Sequence, residues 1–140
     1  MSGALPSGYR ALQFLILSVL LLSGCGEERP DYPRRQMPQG LMEDNAQLAA
    51  GHALFSDKCA SCHGKPSEGL SSRAAFFQPS APDFTEAYYR NSDPAYLFWR
   101  IEVGKTVEPY LSSGSVMPAW RGLTDQEIWQ LVAYLKIRAE

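Results

Sequence analysis

The longest apolar run in this 140-residue chain, Ala11–Leu22, covers only twelve residues. As a helix it would rise about 18 Å, well short of the ~30 Å of a hydrocarbon core, so a polytopic membrane protein is excluded. Basic excess is also missing. Thirteen Lys and Arg stand against fifteen Asp and Glu, a formal charge of −2, which leaves little to neutralise phosphates and argues against nucleic-acid binding. Glycine and proline together make up only 21 residues, too few for a collagen-like repeat, and a 45 % hydrophobic content is too high for a disordered chain. No segment alternates as a strand does, and no internal repeat is visible. The fold class is all-α. Histidine and cysteine are scarce, two and three residues respectively, and four of these five carry most of the chemistry.

Arg10 is the only charge before Glu27, and Ser23-Gly24 supply small residues after the apolar run. This order describes a secretory signal peptide over residues 1–24; the competing reading is a short uncleaved anchor. Leu22-Ser23-Gly24-Cys25 resembles the lipobox of bacterial lipoproteins. That resemblance implies cleavage before Cys25, acylation of its thiol with chains such as palmitate, and membrane attachment through lipid. Removing 24 of 140 residues leaves 116, with 12 positive and 15 negative side chains. Gly26 after that cysteine, where Asp would be an inner-membrane retention signal, favours the outer membrane of a two-membrane cell, with the domain in the periplasm. Residues 25–45 read as a flexible tether, with Pro30, Pro33 and Pro38 and no periodicity. About twenty residues would reach at most ~70 Å extended and ~25 Å as a coil. Met37, Leu41 and Met42 are its only candidates for contact with a domain or partner.

Residues 46–140 form the expected domain, with three helices. The first runs Ala46–Lys58, with Leu48, Gly51, Phe55 and Cys59 at helical spacing. Asp93 as N-cap and Pro94 at the first helical position open the second, which carries Leu97, Phe98 and Ile101 to a stop at Gly104. Thr124-Asp-Gln-Glu127 is a capping box for the third, with Ile128, Leu131, Val132 and Leu135 on one face. Lys136 and Arg138 stand where cations favour a helix C-terminus. The irregular stretch Gly64–Asn91 holds Phe76, Phe77, Phe84, Tyr88 and Tyr89. Three short helices offer these rings a thin core; a large buried cofactor would cover them.

Cys59-Ala60-Ser61-Cys62-His63 has the C-x-x-C-H spacing of covalent c-type haem attachment. Two cysteines three residues apart after a helix present both sulfurs to one side, matching two vinyl groups, and the adjacent imidazole turns beneath the iron. A structural zinc site would need about four ligands, and no second pair follows. A thioredoxin-like pair would need a βαβ context, and a disulfide across three residues is rarer still. Met117, before Pro118 in an irregular loop, is held extended and is the candidate second axial ligand, against the alternative of core filler. His52, on the first helix beside Gly51, reads as a surface or rim residue.

On these residues the domain resembles class I cytochromes c over all 95 positions. Gly51 and Phe55 match the N-terminal helix contact of that family, and Leu131 and Tyr134 match the C-terminal helix that crosses it. The resemblance implies one covalently bound haem c held by Cys59 and Cys62, with His63 and Met117 as axial ligands. It places the carbonyl of Pro82 as acceptor for the His63 N–H, with Pro79 nearby as a rival. It implies an all-α fold around the haem and one-electron transfer without a small-molecule substrate, so the chain is not an enzyme by itself. Met117-Pro-Ala-Trp120 is similar to monohaem cytochromes of bacterial respiratory complexes, which implies redox partner proteins or such a complex. The alternative is a haem-based gas sensor or small haem enzyme with a labile distal ligand. Against that reading, Glu108 is the nearest carboxylate in sequence to the Met117 loop, and no acid–base pair stands out. Trp99, Trp120 and Arg73 are candidate neighbours of the haem propionates.

Overall fold

The computed structural model describes residues 30–65, 69–108 and 110–139. The expected signal peptide and Cys25 lie outside the described residues. Among the described residues five α-helices follow Tyr32: α1 (Asn45–Lys58), α2 (Ala60–His63), α3 (Ala87–Asn91), α4 (Pro94–Val103) and α5 (Asp125–Arg138), with a 3₁₀ turn at Ala74–Phe76. Among these residues there is no strand, and no helix is long and apolar enough to cross a membrane.

Local signals place the three long helices within one residue of expectation. The Asp44 carboxylate accepts from the amides of Ala46 and Gln47 at 2.9 and 3.2 Å, and Asp93 accepts from Ala95 at 2.9 Å. Both halves of the Thr124–Glu127 capping box are formed. The short α2 and α3 lie in what the sequence shows only as cap and loop, because four or five residues cannot display a 3.6-residue period.

The core forms where α1 crosses α5. Gly51 is buried there, and a β-carbon on it would stand 2.7 Å from the Gln130 carbonyl carbon, so only glycine allows this approach. Gln130 and Gln126 donate to the Gln47 side chain at 2.7 and 3.3 Å, fixing the crossing. Phe55, Phe98, Ile128, Leu131 and Val132 are fully enclosed. The Phe98 ring meets Trp129 at 4.6 Å between α4 and α5. Lys136 donates to the carbonyls of Arg90 and Ser92 at 2.5 and 2.8 Å, binding α3 to α5.

The expected tether is corrected from Tyr32 onward, because residues 32–44 are docked on the helices. The Tyr32 hydroxyl donates to Asp93 at 2.7 Å, and its ring lies against Tyr96 and Trp99 at 5.4 and 5.9 Å. Arg35 pairs with Glu102 and Asp125 at 3.2 Å each and stacks over Phe98 at 4.4 Å. Leu41 is 8 % exposed and belongs to the core, with Met37 and Met42 packed against it. This strap has no periodicity because its anchors hold by unique contacts rather than by a repeating face.

Two substitutions test these contacts by urea unfolding. Leu41→Ala is expected to cost about 2–3 kcal/mol, whereas a free tether would make it neutral. Gly51→Ala is expected to cost about 1–3 kcal/mol through overpacking; a change below about 0.5 kcal/mol would contradict the close crossing.

Candidate functional site

Cys59 ends α1 and caps α2. Within that single turn the amides of Cys62 and His63 both donate to the Cys59 carbonyl, at 3.1 and 3.0 Å. Helical spacing puts Cys59 and Cys62 on one side, and both are free, half-buried thiols. Gly64 then turns the chain with φ of 83°, and a β-carbon on it would stand 3.0 Å from the Gly69 carbonyl carbon. Gly69 therefore packs directly against Gly64.

Cys59, Cys62 and His63 line a cleft that is partly open to solvent. Its other walls are Phe77, Pro79–Pro82 and Phe84 from the long loop, Ile101 and Lys105 at the end of α4, Met117, Pro118 and Trp120 from the second loop, and Leu131 and Leu135 from α5. Five separate stretches of the chain thus converge on a mostly apolar space.

His63 is 8 % exposed, and its Nδ1 lies 3.1 Å from the Pro82 carbonyl oxygen. The contact that the resemblance implies is present, and it is made by Pro82 rather than Pro79. A proton on Nδ1 donates to that carbonyl and leaves the Nε2 lone pair free, the tautomer that a ligating histidine needs. Burial lowers the pKa of His63 below 6.5; the Pro82 bond opposes this, and the charges of Lys105 and Arg138 add to it. The ring is therefore neutral at pH 7. Burial, with smaller help from Cys62, pushes the Cys59 thiol up to about 12. This shift runs opposite to the lowered thiol pKa of a redox-active cysteine. Among the described residues no three His, Cys, Asp or Glu side chains gather as metal ligands.

The Met117 segment is fastened to the end of α4. The Lys105 amide donates to the Met117 carbonyl at 3.1 Å, and the Trp120 amide to the Ile101 carbonyl at 3.2 Å. Gly104 has φ of 62°, and a β-carbon on it would stand 2.6 Å from the Met117 carbonyl oxygen. Gly104 is thus both the stop of α4 and the surface on which the Met117 loop lies. His52 is exposed, stacks on Tyr134 at 5.2 Å and does not line the cleft. Of the three expected propionate neighbours, Trp120 lines the cleft and Trp99 and Arg73 do not.

Sequence reasoning passed over Arg100 and Lys105. Arg100 is 7 % exposed and donates through Nη1 to the Gly104 carbonyl at 2.7 Å. Its guanidinium stacks on Tyr110 and Trp99 at 4.0 and 4.3 Å, while Nε and Nη2 have no hydrogen-bond partner. Lys105, on the cleft wall, is held below the usual lysine range by burial and by the Arg100 charge. Among the described residues neither cation forms an ion pair. Buried donors left unpaired are costly, but Arg100, like the Trp99 ring on which it stacks, does not line the cleft, whereas Lys105 does. A haem fits the lining: an apolar macrocycle for the cleft, a carboxylate for Lys105, and vinyl groups for the thiols. The available signal was a buried-face arginine among Tyr96, Phe98 and Trp99.

An all-α domain built in this way around a C-x-x-C-H turn is a c-type cytochrome domain with the cytochrome c fold. The chain belongs to the family described as cytochrome C oxidase, cbb3-type, subunit III, which matches residues 46–135. Among curated proteins it is 31 % identical over 87 residues to the cbb3-type cytochrome c oxidase subunit CcoP of Rhodobacter capsulatus. It is 29 % identical over 87 residues to the same subunit from a further strain of that organism. Each alignment covers 61 % of this chain and 25 % of the relative, so the chain matches about a quarter of the length of these relatives.

Burying His63 uncharged has a pH signature. The unfolded chain takes up that proton near pH 6.5 and the folded chain only at lower pH. Between the two values the unfolded state binds more protons, so this stability is complete above the unfolded pKa and is lost as the pH falls towards the folded one. The urea midpoint is expected to be lower at pH 5 than at pH 7.5; equal midpoints would contradict a buried neutral His63.

Proposed function

We propose that this chain transfers electrons one at a time through a single haem c, joined to Cys59 and Cys62 and ligated by His63 and Met117. It would act as a membrane-tethered shuttle or subunit of a bacterial respiratory chain. The observation that carries this reading is the convergence of all four side chains on one apolar cleft, with the His63 ring fixed by Pro82. Bound there, the haem supplies an Fe(III)/Fe(II) couple.

The residues of the chain define how that couple is used. Each thiol adds its S–H across a vinyl group, with no leaving group, and the two thioethers prevent dissociation. Neutral His63 offers Nε2 while Nδ1 stays bound to Pro82. Met117 offers a thioether, which favours the reduced state relative to a second nitrogen ligand. Were His63 and Met117 both to ligate the iron, they would leave no site for a diatomic ligand or peroxide. Glu108 accepts from the Ser112 amide at 3.2 Å and does not line the cleft, so it offers no acid–base chemistry there.

The names of the relatives support a partner within a cbb3-type oxidase or a chain that feeds one. Acylation at Cys25 would hold the domain at the periplasmic face of a membrane. Because residues 32–44 are docked, the free span would shrink to residues 26–31, about six residues and at most ~20 Å. The domain would then work close to its membrane, which suits a neighbouring membrane-bound partner.

Visible spectroscopy of protein made with haem-attachment machinery tests the assignment. The wild type is expected to show a c-type reduced spectrum and a far-red methionine-to-iron band, with no response to carbon monoxide. Met117→Ala should lose that band and bind carbon monoxide. Carbon monoxide binding by the wild type would overturn firm Met117 ligation and favour the sensor reading. Cys25→Ser is expected to move the protein from the membrane to the soluble fraction; no shift would contradict the lipid anchor.

A further inference from the structure

Arg138 stands in the last turn of α5, three residues beyond the stretch matched to the family. A cation at a helix C-terminus is ordinarily exposed and contributes a few tenths of a kcal/mol through the helix dipole. Arg138 instead is 9 % exposed, and its guanidinium reaches across to the loop that follows the haem motif. Nη1 donates to the Gly64 carbonyl at 3.1 Å, and Nη2 donates to Lys65 at 3.0 Å and to His63 and Gly69 at 3.4 Å each. The group also stacks over the Phe55 ring at 4.7 Å, so it joins α1, α5 and the motif loop at one point.

Four carbonyl oxygens converge on one cation, and among the described residues Arg138 forms no ion pair. Asp83 feels its charge, but that carboxylate is held chiefly by Thr85. Burying a charge without a carboxylate partner is expensive; the charge-assisted bonds and the aromatic face offset that cost. The guanidinium fork accounts for the four carbonyls, and its positive charge is thereby held against the backbone of His63. The charge acts on the His63 ring, which it helps to keep unprotonated.

We propose that Arg138 is a positioning residue for the His63 side of the site. It locks the backbone carrying the axial ligand and keeps a permanent buried positive charge behind it, favouring the reduced over the oxidised iron. This rests on the haem reading above. The electron that reduces the iron comes from the donor protein, and the guanidinium stays charged in both states, so no proton is exchanged with Arg138.

The test is redox titration of the haem-loaded full chain against a one-electron mediator, comparing wild type, Arg138→Gln and Arg138→Lys. Gln keeps a donor and the approximate size but removes the charge; Lys keeps the charge and loses the fork. At a fixed ambient potential the reduced-to-oxidised ratio of Arg138→Gln is expected to fall about tenfold, as a partly buried charge at roughly 10 Å implies, which is ~59 mV for one electron. Arg138→Lys is expected to stay within about twofold of wild type. A ratio for Arg138→Gln within about twofold of wild type, or an equal fall in both variants, would overturn the charge role and leave a purely structural arginine. Should Arg138→Gln not accumulate, Arg138→Lys titrated to high pH decides. Its ratio must fall as the buried lysine loses its proton, relative to wild type, and matching profiles would overturn the proposal. A wild type that carries no haem would instead sink the underlying assignment, so the two failures are distinguishable.

Discussion

Gly51 brings α1 and α5 together so closely that any side chain there would collide with the Gln130 carbonyl, and the geometry of the cleft follows from that approach. The crossing sets Phe55 against Tyr134 at 5.2 Å and places Leu131 and Leu135 on the cleft wall opposite the end of α1. Cys59, Cys62 and His63 leave α1 where that wall begins. With a wider crossing, the motif turn would lose its apolar backing and His63 its burial. The closeness is held by polar bonds as well, since Gln47 accepts from both Gln126 and Gln130.

The two sides of the cleft are secured by the same device, backbone carbonyls held by donors from another element. On the His63 side, Pro82 orients the ring and Arg138 gathers the loop carbonyls. On the Met117 side, the amides of Lys105 and Trp120 tie the loop to the end of α4. Backbone contacts of this kind fix the position of a segment without constraining most of its side chains. They leave the cleft lining free to be mostly apolar, with the Lys105 cation on its wall. The site is thus built for a molecule with an apolar body and a charged rim.

Much of this was legible in the chain itself. The Asp93 and Thr124 caps are local signals, read within a few residues, and they place the second and third long helices accurately. The C-x-x-C-H motif is also local, because it must fit two vinyl groups and an iron at fixed separations. Pro82 was reachable only by resemblance; nothing in its neighbourhood distinguishes it from Pro79. Arg100 and Arg138 were not legible, because a sequence shows charge but not what covers it: each looks like an ordinary helix cation until its burial is known. The strap was misread for the same reason. Tyr32, Arg35 and Leu41 bind through long-range contacts, 61 residues away for Tyr32 and Asp93, and such contacts leave no periodic trace. The docked strap also gives the domain a second set of contacts to α4, beside those that define the cleft.

The central claim is that Cys59 and Cys62 carry one haem inside this cleft. Intact mass measured after denaturation and exhaustive thiol alkylation tests it most directly, on protein produced with haem-attachment machinery. The account predicts the mass of one haem and no alkyl group at Cys59 or Cys62, because both sulfurs are already thioethers. Two alkylated thiols at those positions and no added haem mass would contradict it.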